Sequence, residues 1–350
     1  MKKKVVIIGG GNIAGTVHVP HYQNRKELEV VAVLGRNAER AEAFAKRHAI
    51  PRFYTDGDEM YAAEKPDIVS VCTPNSFHYP AVMKALENGC HVLCEKPPAI
   101  SADEAWDMHQ AAKARNLVLA YNFHNRFAED VKIVREKAAA GLLGDIYVTK
   151  VQALRRSGVP AWGYFTNKEL QGGGPLIDIG VHMLDAAMYV LGFPAVKRVT
   201  AKQFQKIGKK KSHGSFGEWD PKKYEVEDSL FGFIELEGGN LLQIETSFAL
   251  HIIEESVMDV TFMADKAGAT LFPAHIHTDK HGELVTLYQK KQADPDRQRK
   301  SMEAFIDRCL GKEVMIADSE QGYIIQRIVE ALYESAEKGE SVSLWPDNRH

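Results

Sequence analysis

The sequence predicts an α/β fold: a first domain of parallel strands and helices, then an α+β domain on a large, mostly antiparallel sheet. Three observations carry this. Residues 1–122 alternate short apolar runs with amphipathic helical patterns, as a doubly wound parallel sheet requires. A glycine-rich turn, Gly9-Gly10-Gly11, follows the first apolar run. From residue 196 on, strand-like runs succeed one another across short turns, which reads as antiparallel pairing. The boundary falls near 123, giving domains 1–122 and 123–350.

Composition sets the bounds. At 350 residues the chain is long enough for two domains, and 45% hydrophobic with 26% charged residues is ordinary for a globular protein. A net charge of −3 points to neither nucleic acid nor an anionic membrane. No apolar run approaches the roughly 20 residues a bilayer span needs. The start, MKKKVVIIGGGN, has an apolar run too short for a signal peptide and is read as a first strand. Cys72, Cys90, Cys94 and Cys309 show no CxxC spacing, so reduced, buried thiols in a cytoplasmic protein are expected.

Five strands are expected in the first domain: Val5–Ile8, Val30–Leu34, Ile68–Cys72, His91–Cys94 and Leu117–Ala120. Helices are expected over Ala38–His48, Tyr79–Asn88 and Asp103–Arg115. Asn37 and Ser101 are N-cap residues, and Glu104 completes a capping box. Gly89 is placed to end the preceding helix.

The first turn fits the dinucleotide fingerprint G-x-G-x-x-G/A in one frame, Gly9, Gly11 and Ala14. Gly9 permits the tight turn, Gly11 lets the backbone approach a pyrophosphate, and Ala14 lets helix and strand pack closely. With Asn12 and Ile13 these residues open a helix whose N-terminus faces the phosphates. The second strand ends in Leu34-Gly35-Arg36-Asn37, with no carboxylate for a ribose hydroxyl. Arg36 is suited to a 2′-phosphate, so NADP is the expected cofactor, with NAD possible if Arg36 stacks on adenine instead. Thr73, Pro74, Asn75 and His78 end another strand and suit the nicotinamide-side ribose; an ordinary capped turn is the alternative.

Glu95-Lys96-Pro97 follows the apolar run His91–Cys94, with Pro98 next. The prolines stop any continuation, so a carboxylate and an amine sit where open parallel sheets bind ligands. Glu95 and Lys96 are candidate cofactor contacts. Lys96 is also suited to a substrate oxygen.

In the second domain Ala128–Ala140 reads as a helix and Ile146–Ala153 as a strand. Arg126 is read either as a substrate ligand or as a partner of Glu129 or Asp130. The loop Arg155–Tyr164 is basic and aromatic, and Trp162 is suited to stack on a sugar or nicotinamide ring, or to pack in the core. Pro175 opens a helix, PLIDIGVHMLDAAMYVLG, on which Asp178, His182 and Asp185 share a face. An imidazole oriented by a carboxylate suits removal of a hydroxyl proton. A core histidine is the alternative, and no third ligand for a metal is evident. Strands are expected over Val196–Gln205, Asp228–Glu237, Asn240–Phe248 and Ser256–Met263, with a hairpin at Gly238-Gly239. Lys206–Tyr224 reads as an exposed loop, Ser319–Lys338 as an amphipathic helix, and Ser341–Leu344 as a strand or tail.

GGGNIA, VCTPNSFH, CEKPPA and GGGPLIDIGVHMLD, in this order, resemble the glucose–fructose oxidoreductase / inositol dehydrogenase / MocA family over nearly the whole chain. The resemblance implies a Rossmann domain, a second domain with an open-faced sheet, and assembly as a homo-oligomer, dimer or tetramer, through that sheet. It implies a nicotinamide-dependent oxidoreductase acting on a sugar, sugar derivative or cyclitol. It assigns catalysis to Lys96, Asp178 and His182. Substrate binding is expected from these three with Arg126 and Trp162. Gly35-Arg36 departs from the acid many members carry. The competing functions are a non-catalytic dinucleotide sensor and a redox-assisted glycosidase.

Overall fold

The computed structural model describes residues 2–344. Two compact units emerge. The first holds the chain up to Phe123 together with Gln298–Gln326, and the second holds His124–Arg297 and the described residues from Arg327 onward.

The first unit is built on six strands: β1 (Lys3–Ile8), β2 (Leu28–Leu34), β3 (Arg52–Tyr54), β4 (Ile68–Val71), β5 (His91–Cys94) and β6 (Leu119–Tyr121). Their order is β3-β2-β1-β4-β5-β6, and every pair is parallel. Parallel strands covered on both faces must be apolar throughout, and Val5, Val6, Ile7, Ile68, Val69 and Val71 are fully buried. The expected caps form: Asn37 accepts from the Arg40 amide, and Ser101 from the Glu104 amide. Gly89, at φ +75°, closes the helix His78–Glu87.

Within residues 1–122, β3 and the helix after it went unread in the sequence. β3 is three residues long with two of them exposed, and the helix Gly57–Glu64 that follows is only weakly amphipathic. Neither offers a strong periodic signal.

A larger correction concerns the domain boundary. The chain leaves the first unit after Phe123, near the expected place, but residues 298–326 return to it. Met302, Phe305, Ile306 and Cys309, on the helix Arg297–Cys309, join Val5, Ile7, Val33 and Phe44 in one core. An apolar stripe marks a helix as half-buried but does not say which sheet it covers.

The second unit adds β7 (Ile146–Arg155), β8 (Val196–Phe204), β9 (His213–Gly214), β10 (Gly217–Glu218), β11 (Ser229–Leu236), β12 (Leu241–Ser247), β13 (Ser256–Ala264), β14 (Gly268–Leu271), β15 (Ala274–Lys280), β16 (Glu283–Gln289) and β17 (Val342–Ser343). Nine of these form one sheet, β16-β15-β14-β13-β7-β12-β11-β8-β17. All its pairs are antiparallel except β7 with β12. Gly238 and Gly239, both at φ +91°, make the expected hairpin turn between β11 and β12. Along β11, Leu230, Ile234 and Leu236 are buried, while Phe233 on the other face is 50% exposed.

The helix expected from Pro175 is present but not regular. A π-helical turn, Leu176–Gly180, leads into an α-helix, Val181–Leu191, which Gly192 ends at φ +81°. Gly180 is required: a Cβ there would lie 2.5 Å from Thr246 on β12.

Residues 206–224 are also more than a solvated loop. They carry the ribbon β9–β10 and bury Trp219 and Tyr224. The Asp228 carboxylate fixes their start by accepting from the amides of Lys206, Ile207 and Gly208.

Candidate active site

The sheet order reverses between β1 and β4, so the loops after these strands diverge and leave a crevice at their carboxyl ends. Gly9 lies there. Its amide donates to Leu34 O, its φ is +95°, and a Cβ would sit 2.6 Å from Cys72 O. No L side chain fits. Gly11 is the opposite case, since nothing lies within 4 Å of where its Cβ would be. That is open space beside a helix start, with Ala14 buried behind it. Asn12 and Ile13 open that helix, whose π-helical turn spans Ala14–His18.

The neighbouring loops complete this edge. Arg36 is exposed, and its guanidinium lies 4.6 Å over the Phe77 ring. Thr73 Oγ1 and Ser76 Oγ are buried with no hydrogen-bond partner among the described residues. Asn75 is buried in the short 3-10 turn that follows Pro74. His78 is fully buried between two loops, with Nδ1 2.7 Å from Pro97 O and Nε2 3.0 Å from Thr73 O. Burial lowers its pKa below the usual histidine value. His78 therefore acts as a tie between the β4 and β5 loops.

Lys96, partly exposed, follows β5 at that same edge. Beneath it runs a buried polar chain. His18 Nδ1 is 2.6 Å from Ser70 Oγ, and His18 Nε2 is 2.8 Å from Glu95 Oε1. Asn122 donates to Glu95 Oε1 at 2.7 Å, and Ser301 donates to Asn122 Oδ1 at 2.9 Å. Burial opposes charge on His18, but Cys72 and Glu95 outweigh it and raise its pKa to about 10. Burial likewise opposes charge on Glu95, yet His18, Asn122 and Lys96 lower its pKa to about 2. A cation and an anion thus stand together under the bend. Glu95 serves this chain of contacts. His18, Ser70 and Ser301 were not recognised in the sequence.

These features fit a dinucleotide: a glycine cradle with room above it, a helix start, and two hydroxyls still to be satisfied.

In the second unit, Asp178 lies in the π-helical turn, partly exposed, and acts electrostatically on the guanidinium of Arg155, whose pKa burial lowers. His182 is 9% exposed, with its ring 4.7 Å from that of His124. Such π-helical turns recur at functional sites. A buried brace holds the turn's approach. Glu227 accepts from the amides of Gly174 and Leu176, and from the Tyr333 hydroxyl at 2.8 Å. Burial raises the Glu227 pKa, against these donors. Glu227 and Tyr333 also escaped the sequence reading.

Arg126 departs from its expected substrate role. It is 1% exposed and grips Asp185 through Nε and a terminal nitrogen, with Tyr189 and Phe193 against its face. The planar guanidinium matches a carboxylate two-to-two, and neither charge is left exposed. Asp185 is therefore a structural member of the helix rather than a third group of an Asp–His–Asp stripe. Trp162 is 55% exposed and clusters with Phe165 and Phe216. Among the described residues, no group of three His, Cys, Asp or Glu side chains is arranged to hold a metal.

A dinucleotide cradle with a lysine at its edge is what a nicotinamide-dependent oxidoreductase needs of its first unit, and the second unit carries a carboxylate and an imidazole on one helical segment. Residues 3–123 match the oxidoreductase family with an NAD-binding Rossmann fold, and residues 135–344 match its C-terminal alpha/beta domain. The chain belongs to this Gfo/Idh/MocA family and is an oxidoreductase. It is 59% identical over 341 residues to a D-glucoside 3-dehydrogenase of Escherichia coli (strain K12), covering 97% of each chain. A D-xylose 1-dehydrogenase (NADP(+)) of Haloferax volcanii is 27% identical, with 97% and 98% covered. A levoglucosan dehydrogenase in complex with NADH and levoglucosan shares the fold, with TM-score 0.82 at 20% identity over 99% of this chain and 100% of that one.

Proposed function

We propose that this chain is a D-glucoside dehydrogenase that oxidises the 3-hydroxyl of the glucose ring. The observation that carries the reading is 59% identity across 97% of both chains to a D-glucoside 3-dehydrogenase. The Lys96, Asp178 and His182 motifs stand complete beside it.

Gly9, Gly11, Asn12, Ile13 and Ala14 would hold the pyrophosphate, Arg36 the adenosine end, and Thr73, Pro74, Asn75 and His78 the loop on the nicotinamide side. When bound, the nicotinamide supplies the hydride acceptor. His182 takes the proton of the reacting hydroxyl. Lys96 donates a hydrogen bond to the same oxygen and stabilises the negative charge that develops there. Asp178 binds a neighbouring hydroxyl.

NADP is the preferred cofactor in this reading, with NAD accepted. Its support is the absence of a carboxylate at the end of β2, together with Arg36 exposed at that place. A homo-oligomer formed through the open face of the second sheet is supported by exposed Phe233, Met263 and Leu284. The reduced state of the four cysteines, all buried and free, supports a cytoplasmic setting.

The test is incubation with methyl D-glucosides and free aldoses, with NADP⁺ or NAD⁺, followed by NMR of the product. A 3-keto glucoside supports the proposal. Oxidation confined to C1 of free aldoses contradicts it.

A further inference from the structure

The second unit carries exposed aromatic rings that the chemistry above does not use. Trp162 is 55% exposed and Phe216 40%, and their rings lie 5.5 Å apart. They come from segments more than fifty positions apart, the Arg155–Tyr164 loop and the turn of the β9–β10 ribbon. The ribbon is fixed against that loop, because Ser215 N donates to Ser157 O at 2.7 Å. A small hairpin built out from the sheet and tied down by buried Trp219 thus presents Phe216 at a set place.

This pair is continuous with the reaction helix. The Arg155 guanidinium lies 5.0 Å from the centre of the Phe216 ring and 6.0 Å from that of Phe248. β7, which ends at Arg155, packs against the π-helical turn that carries Asp178. A path therefore runs from Asp178 through Arg155 and Phe216 to Trp162, all within one unit.

We propose that Trp162 and Phe216 form a shelf for the second ring of a glycoside, the ring joined to glucose through the glycosidic oxygen. A pyranose offers apolar C–H faces and a rim of hydroxyls. The exposed aromatic rings suit the former, and the Arg155 guanidinium, which lies over the Phe216 ring, suits the latter. The shelf rests on the glucoside reading above.

The test compares wild type, Trp162→Ala and Phe216→Ala on a methyl D-glucoside and on a glucosyl-glucose disaccharide of the same anomeric configuration. The ratio of kcat/KM, disaccharide over methyl glucoside, is expected to fall about tenfold in each variant, mainly through KM, in line with one lost stacking contact. Phe216→Tyr keeps the ring and should keep the ratio. Equal losses on both substrates, or no loss on either, would overturn the shelf. If wild type oxidises neither glucoside, the glucoside reading fails on its own. The shelf is then tested by titrating the disaccharide against tryptophan fluorescence. A quench that disappears in Trp162→Ala supports the shelf, and one that persists unaltered overturns it.

Discussion

His18 Nε2 and Glu95 Oε1 lie 2.8 Å apart beneath the carboxyl edge of the first sheet, on segments 77 positions apart in the chain. With pKa values of about 10 and about 2, both are charged at neutral pH. The raised His18 value contributes stability that is complete below its usual 6.5 and is lost as pH climbs through about 10. The lowered Glu95 value contributes stability that is complete above 4.5 and is lost as pH falls through about 2. The stability difference between wild type and the double variant His18→Asn/Glu95→Gln should thus peak between these usual values and shrink toward pH 9.5. Denaturant unfolding at a series of pH values measures it. A difference constant from pH 5 to 9.5 would mean the pair is not charged.

The two glycines of the cradle should separate stability from binding. Gly9→Ala forces a Cβ to 2.6 Å from Cys72 O at a positive φ, and should lower stability by about 2 kcal/mol or more. Gly11→Ala meets nothing, so its stability should stay within about 1 kcal/mol of wild type. Its dinucleotide Kd should nonetheless rise at least about tenfold, because the methyl occupies the approach to the pyrophosphate. Calorimetry and thermal melts read both effects. Tight binding by Gly11→Ala would move the phosphates elsewhere.

Asp185→Asn leaves the buried Arg126 charge without its carboxylate and should cost about 3–5 kcal/mol of stability. A stable Asp185→Asn with a raised KM would return Arg126 to the substrate.

How far the sequence could be read follows from where the partners lie. Asn37, Ser101 and Gly89 act on residues within one helical turn, so their roles are visible locally; the Gly9–Ala14 turn is legible from its glycine spacing, although Gly9 itself is held by Leu34 and Cys72. The order of the motifs places Lys96, Asp178 and His182 on their elements. The polar chain under Lys96 was not visible, because His18, Ser70, Glu95, Asn122 and Ser301 are joined across gaps of 27 to 179 positions. Arg126 and Asp185, 59 apart, were mispaired for the same reason: Glu129 and Asp130 are nearer in sequence, but the fold brings Asp185. The π-helical turn at Asp178 likewise has no periodic signature of its own.

The proposed NADP preference is tested at Arg36. Arg36→Ala should lower the NADP over NAD ratio of kcat/KM about tenfold or more, the scale of a lost hydrogen bond to a charged group. An unchanged ratio would make the guanidinium a partner of Phe77 and adenine only.

The most direct test of the central claim follows nicotinamide absorbance with a methyl D-glucoside in wild type and Lys96→Met. The account predicts reduction by wild type, and a fall of about 10²–10⁴ in kcat for the variant, whose fold and dinucleotide binding are retained. Equal turnover by the two proteins would contradict it.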